Sequence, residues 1–173
     1  SQKPQSVIEA VDQHYRLHNA NVSRAVHLLG EEATAAYERA RDSLAAFINA
    51  GSRNEVVLTS GTTQAINLVA YSYALPQLQP GDAIVTTVME HHANIVPWQI
   101  VAARSGATVK PAPIDERGEL IVEEFLKLLT PEVKLACVGH VSNVLGTVNP
   151  VRELARECRK RGIPLLVDGS QAV

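Results

Sequence analysis

The sequence predicts an α/β fold, a three-layer α/β/α arrangement around a mostly parallel sheet. Two observations predict it. Short apolar runs alternate with longer stretches of 3.6-residue apolar periodicity, and glycine, proline and Asn/Asp breaks separate the two kinds of segment. Strands that alternate with amphipathic helices bury both faces of a parallel sheet. At 173 residues the chain can bury a sizeable core.

Val7/Ile8, Val11 and Tyr15 make the first helical face. Ala33, Tyr37, Ala40, Leu44 and Phe47/Ile48 make the second, ended by Gly51. Glu55 to Ser60 reads as a buried strand, and Thr62 to about Leu75 as a helix with Ala65, Ile66, Leu68 and Val69 inward. Pro80-Gly81-Asp82 is a turn before the next strand, Ala83 to Val88. Pro97 to Arg104 reads as a short helix closed by Gly106, and Ala107 to Lys110 as a strand. Asp115 to Gly118 is a turn, Val122 to Leu129 a helix stopped by Pro131, and Val133 to Val138 a strand. Asn149-Pro150 opens a helix, with Asn149 as its cap and Pro150 in the first turn, and Gly162 ends it. Ile163 to Val167 is the last strand.

Composition narrows the function classes. A fifth of the residues are charged, with both signs interspersed and a formal net charge of −2. That excludes the basic face of a nucleic-acid-binding protein. Arg159, Lys160 and Arg161 suit the end of a helix, where cations favour the dipole. No apolar run reaches the roughly 20 residues that span a bilayer, and no signal peptide opens the chain. Cys137 and Cys158 lie in apolar or helical-core contexts. A reducing compartment, the cytoplasm, is expected.

Ligands of such sheets bind beyond the carboxyl ends of the strands. Four segments sit there. Thr59-Ser60-Gly61-Thr62-Thr63-Gln64 has the make-up of a phosphate cradle, and equally of a glycine turn with a threonine helix cap. Met89-Glu90-His91-His92-Ala93-Asn94 offers an imidazole for ring stacking or proton movement, or a hydrogen-bonded loop histidine. The two histidines point in different directions, and no second ligand cluster completes a metal site, so no metal is expected. Asn143, after the Val133 strand, offers an amide to a ligand oxygen or serves a turn. Asp168, after the last strand, offers a carboxylate to a protonated pyridine nitrogen. The rival reading of Asp168 as a magnesium ligand fails, because the chain has no G-x-x-x-x-G-K-[ST] segment.

These segments resemble the cysteine desulfurases of fold-type I, in the class-V aminotransferase group. Thr59 to Ala70 is similar to that family's phosphate-binding segment. Glu90-His91-His92-Ala93-Asn94-Ile95-Val96-Pro97-Trp98 resembles the Suf-type branch and is the most specific match. Val141 to Thr147 and Val167 to Val173 match in order and spacing. The resemblance implies pyridoxal 5′-phosphate as cofactor. It implies that Thr62 and Thr63 hold the phosphate, and that His91 stacks on the ring and takes part in proton transfer. It further implies that Asp168 keeps the ring nitrogen protonated, and that Asn143 and Gln171 contact the phenolic oxygen. His91 is then the catalytic residue within this sequence. Asn21 to Arg24 resembles a segment near the substrate entrance, with Ser23 where the family has histidine. Ser170 replaces a residue that is usually smaller.

The resemblance also implies L-cysteine as substrate, with sulfur passed as a persulfide toward iron–sulfur cluster assembly. A homodimer and a sulfur-acceptor protein of the SufE/SufU kind are the implied partners, with no nucleic acid and no membrane. Two other readings stay open: a relative such as selenocysteine lyase, and a non-catalytic binding module. The expected organisation is an N-terminal helical segment, residues 1–50, followed by a partial large domain, residues 51–173. The family's cofactor-linking lysine stands in a Ser-x-His-Lys segment. Lys3, Lys110, Lys127, Lys134 and Lys160 have no such context. The chain is therefore expected to stop before that lysine and before the nucleophilic cysteine, and to be inactive by itself.

Overall fold

The protein, seen in a computed structural model, is described over residues 2–24 and 26–172; Val173, the last residue of the Asp168 segment, lies outside them. The chain divides into two compact units, Ser1–Leu58 and Thr59–Val173.

The first unit carries α1 (Gln5–Gln13), which runs on into a π-helical turn at His14–His18, and α2 (Leu28–Phe47). Both expected helices form, but their apolar faces are not covered. On α2 the buried residues are Gly30, Ala33 and Ala45, while Leu44, Phe47 and Ile48 are exposed. Val7, Ile8, Val11 and Tyr15 are exposed as well. Small residues form the close-packed line, so the periodicity located the helices but not their contact faces. Asn49, in the left-handed region at φ 56°, turns the chain after α2, the task expected of Gly51. The expected strand at 55–60 is absent. Arg53–Glu55 is a 3₁₀ turn, and Val57 and Leu58 lie exposed. A ladder needs a neighbouring strand, and none pairs here among the described residues.

The second unit is built on four strands: β1 (Ala83–Thr87), β2 (Thr108–Ala112), β3 (Val133–Gly139) and β4 (Leu165–Asp168). All pair in parallel, in the order β2-β1-β3-β4. Helices α3 (Thr62–Val69), α4 (Val96–Ser105), α5 (Val122–Leu128) and α6 (Val151–Lys160) surround them. Phe125 of α5, with Leu154 and Cys158 of α6, packs on Ala83, Val85, Ala136 and Val138. On the other face Ile66 of α3, with Trp98 and Val101 of α4, packs on Ile84, Leu135 and Cys137. Those two cores make the three expected layers.

Side chains alternate along a strand, yet Val133 and Leu135 belong to different cores. The register with β1 slips between Ala83 and Ile84, opposite Val133 and Leu135, and this irregularity resets the alternation at Lys134. The expected helix from Thr62 to Leu75 keeps α geometry only to Val69. A π turn, Ala70–Ala74, closes with Leu75 N–H donating to the Ala70 carbonyl at 2.9 Å. Gly106, at φ 76°, ends α4 with its N–H donating to the Ala102 carbonyl; a Cβ there would meet Pro80 at 3.2 Å. Asn149 does not cap α6. The N-cap position is Pro150, and the Asn149 amide turns inward instead.

Candidate functional site

The strand order reverses at β1, with β2 on one side and β3 on the other. The crevice beyond the carboxyl ends of β1 and β3 is thus the topological switch point, where open α/β sheets bind ligands. A cavity of about 350 Å³ lies there, within the ~300–1,000 Å³ usual for small-molecule sites. Thr62, Thr63, His91, Asn143, Asp168 and Gln171 all line it.

One wall is the start of α3. Gly61 (φ 154°, ψ 172°) adopts a conformation that is essentially glycine's own. It delivers the chain into a helix with no side-chain cap, and the first N–H bonded inside α3 is that of Ala65, to the Gly61 carbonyl at 3.1 Å. The N–H groups before it, with the Thr62 and Thr63 hydroxyls, leave a cluster of donors at the cavity, the kind of helix start that suits an anion. Gln64 steadies the turn, its Oε1 accepting from the Ser60 N–H at 2.6 Å and the Ser60 hydroxyl at 2.9 Å.

The second wall follows β1. The His91 Nδ1 accepts the Ala93 N–H at 3.1 Å. In the neutral ring the proton therefore sits on Nε2. The His92 ring stands edge-on to it, 6.1 Å away. Beneath them lies Glu90. Its Oε1 accepts the Thr87 hydroxyl at 2.6 Å and the Gly139 N–H at 3.0 Å; its Oε2 accepts the Asn94 amide at 2.7 Å. Burial raises the Glu90 carboxyl from its ordinary value, the three hydrogen bonds oppose the rise, and the nearby Asp168 charge adds to it.

The third wall comes from β3 and β4. Gly139 pairs with Asp168 across the two strands, and the His140 N–H donates to the Asp168 carbonyl at 2.8 Å. Beyond β3, the Ser142 N–H donates to the Thr147 carbonyl at 2.9 Å, closing a loop that leaves Asn143 exposed at the cavity. The Asp168 carboxylate accepts the Ser170 N–H at 3.0 Å and the Ser170 hydroxyl at 2.5 Å. That hydroxyl also lies 3.0 Å from the Thr62 hydroxyl. Ser170 therefore joins the α3 wall to the acidic wall.

Glu90, Ser170 and Asn149 also line the cavity, and sequence reasoning places none of them in the site. Glu90 stood beside the histidines with its partners hidden. Ser170 read only as a departure in size. Asn149 read as a cap; its amide donates to the Gly139 carbonyl at 2.8 Å, and its buried Oδ1 has no partner among the described residues. The only legible signal was position, since Glu90 and Ser170 each stand within two residues of a predicted site residue.

The same chain matches known proteins along its length. The aminotransferase class-V family model matches residues 1–173. A probable cysteine desulfurase of Xylella fastidiosa is 58% identical over 172 residues, which are 99% of this chain and 41% of that protein. The apo cysteine desulfurase of Thermococcus onnurineus superposes with a TM-score of 0.91 at 38% identity, over 96% of this chain and 41% of that one. The cysteine desulfurase CsdA of Escherichia coli gives 0.86 at 40% identity, over 98% and 42%. This chain thus spans about two fifths of the length of these relatives. With a family model matched from end to end and a parallel sheet that carries its cavity at the switch point, the chain belongs to the aminotransferase class-V family.

Proposed function

We propose that this chain supplies the cofactor-binding part of a pyridoxal 5′-phosphate-dependent cysteine desulfurase. The observation that carries the reading is the polarity of the cavity: an uncapped helix start with two threonines on one wall, and the Asp168 carboxylate on another. A ligand with an anionic phosphate and a protonable ring nitrogen fits that pair of ends, because each meets the opposite charge or dipole.

When bound, the cofactor supplies an electron-withdrawing ring for chemistry at the substrate α-carbon. Thr62, Thr63 and the α3 N–H groups hold its phosphate. Asp168 keeps the ring nitrogen protonated, and the Ser170 hydrogen bonds orient that carboxylate. Asn143 and Gln171 serve the phenolic oxygen. His91 covers the ring, and its Nδ1 bond to Ala93 leaves Nε2 as the nitrogen that carries and transfers a proton. The buried thiols of Cys137 and Cys158 are both raised by burial, which makes neither a nucleophile. The proposed substrate is L-cysteine, yielding L-alanine and a persulfide on the intact protein. The proposed setting is a cytoplasmic homodimer that hands sulfur to a SufE/SufU-like acceptor for iron–sulfur cluster assembly.

The test compares Asp168→Asn with Thr63→Ala in the intact protein containing this chain. Asp168→Asn should retain cofactor and lose roughly 100-fold or more in alanine formation from cysteine, the scale of losing one electrostatic stabiliser. Thr63→Ala should show the opposite bias, with weaker cofactor retention. Near-normal turnover of cofactor-saturated Asp168→Asn protein rules the assignment out.

A further inference from the structure

The N–H hydrogen bonds around Glu90 have a polarity that the side chains cannot reverse. The Trp98 indole N–H is a donor only, and it donates to the Asn94 Oδ1 at 2.9 Å. That contact fixes the Asn94 amide, so its Nδ2 must face Glu90 as a donor. At the other oxygen the Gly139 backbone N–H is also a donor only. Each Glu90 oxygen therefore accepts an N–H, a condition met by a carboxyl group and not by a carboxamide.

The placement of this network decides what it does. Asn94 is fully buried, and it ends the 3₁₀ turn His92–Asn94 that follows His91. Its N–H donates to the His91 carbonyl at 2.7 Å. Glu90 and Asn94 thus bracket the histidine. Across the cavity, Gly139 is held on both sides, its N–H by Glu90 and its carbonyl by Asn149. Gly139 is the residue in register with Asp168. One side chain ties the end of β1 to the end of β3 over a separation of 49 residues.

We propose that Glu90 is the positioning residue that holds His91 and Asp168 at a fixed spacing across the cavity. The proposal rests on the functional reading above only for what that spacing serves. The network itself belongs to the apo protein.

The experiment exchanges the polarity. In the intact protein, Glu90→Gln places an amide donor against the Asn94 donor. Adding Asn94→Asp restores complementarity: the carboxylate moves to position 94, accepts from Trp98 and from the glutamine amide, and leaves the glutamine oxygen for Gly139 and Thr87. Hydrogen exchange of the Gly139 amide and the Trp98 indole is read in cofactor-free protein. Both should quicken roughly tenfold or more in Glu90→Gln, the scale of a buried unpaired donor, and return to within about threefold of the parent in the double variant. With cofactor and cysteine, kcat should fall in the single variant and recover in the double one, while KM moves little. Unchanged exchange in Glu90→Gln, or no recovery of exchange in the double variant, overturns the proposal. Restored exchange without restored turnover also overturns the positioning role, if the parent protein turns over. A parent that neither binds cofactor nor releases alanine overturns the functional reading, and the exchange measurements still decide the network.

Discussion

Replacing Trp98 by phenylalanine isolates one polar contact in the core between the sheet and α3/α4. Trp98 is fully buried among Ile66, Ile84, Val101, Leu135 and Cys137. Its indole N–H is the partner of Asn94 Oδ1, and Asn94 is buried just as completely. Phenylalanine keeps the aromatic packing but removes the donor. Leaving a buried carbonyl oxygen unpaired costs about 1–3 kcal/mol. The lost part of the indole leaves roughly 40 Å³ of space, which at ~24 cal/mol per Å³ adds about 1 kcal/mol. The expected loss is therefore about 2–4 kcal/mol, large against the ~5–15 kcal/mol that hold a typical domain together. Urea unfolding of the intact protein, followed by circular dichroism because the mutation removes this chain's one tryptophan, should show a lower midpoint with an unchanged slope. A loss under about 0.5 kcal/mol would refute the reasoning, since it would mean that the Asn94 carbonyl finds another donor and that Trp98 does not fix its orientation.

Two further outcomes follow from the same geometry. Gly139→Ala should destabilise by about 1–3 kcal/mol, the usual cost of overpacking, because the added Cβ stands 3.2 Å from the Glu90 Oε2, part of a carboxyl group that three donors hold in place; thermal unfolding that matches the parent would show that the carboxyl group gives way. Hydrogen bonds from Lys160 and Arg161 hold the Glu157 carboxyl at about 2, below its ordinary 4.5. A depressed folded value stabilises above the ordinary value and is lost as pH falls through the folded one, so Glu157→Gln should be less stable at pH 7, the gap narrowing between the two values, and carboxyl NMR should titrate Glu157 near pH 2.

The sequence alone determined the alternation of strand and helix from Ala83 onward, because each element there is specified by its own apolar period and its own stop signal. Gly106 and Gly162 end their helices at φ 76° and 68°, as glycines at those places should. It also located the segments that line the cavity. Thr62, His91, Asn143 and Asp168 each follow a strand or a strand-like run, and a parallel sheet brings its strand ends to one edge. Contacts remote in the chain were decided by the tertiary structure. Val56–Leu58 has the composition of a strand, but a strand exists only against a partner. Asn149 has the composition of a helix cap, but the Gly139 carbonyl, ten residues away, takes its amide. The slip at Lys134 moves Leu135 to the opposite core, and no local period announces it. Glu90 is the clearest case. Its position beside His91 is local, but its partners are a backbone N–H 49 residues on and an amide whose orientation an indole fixes. Hydrogen-bond polarity passes through space from donor to acceptor, so only the folded chain could decide that an acid, and not its amide, fits here.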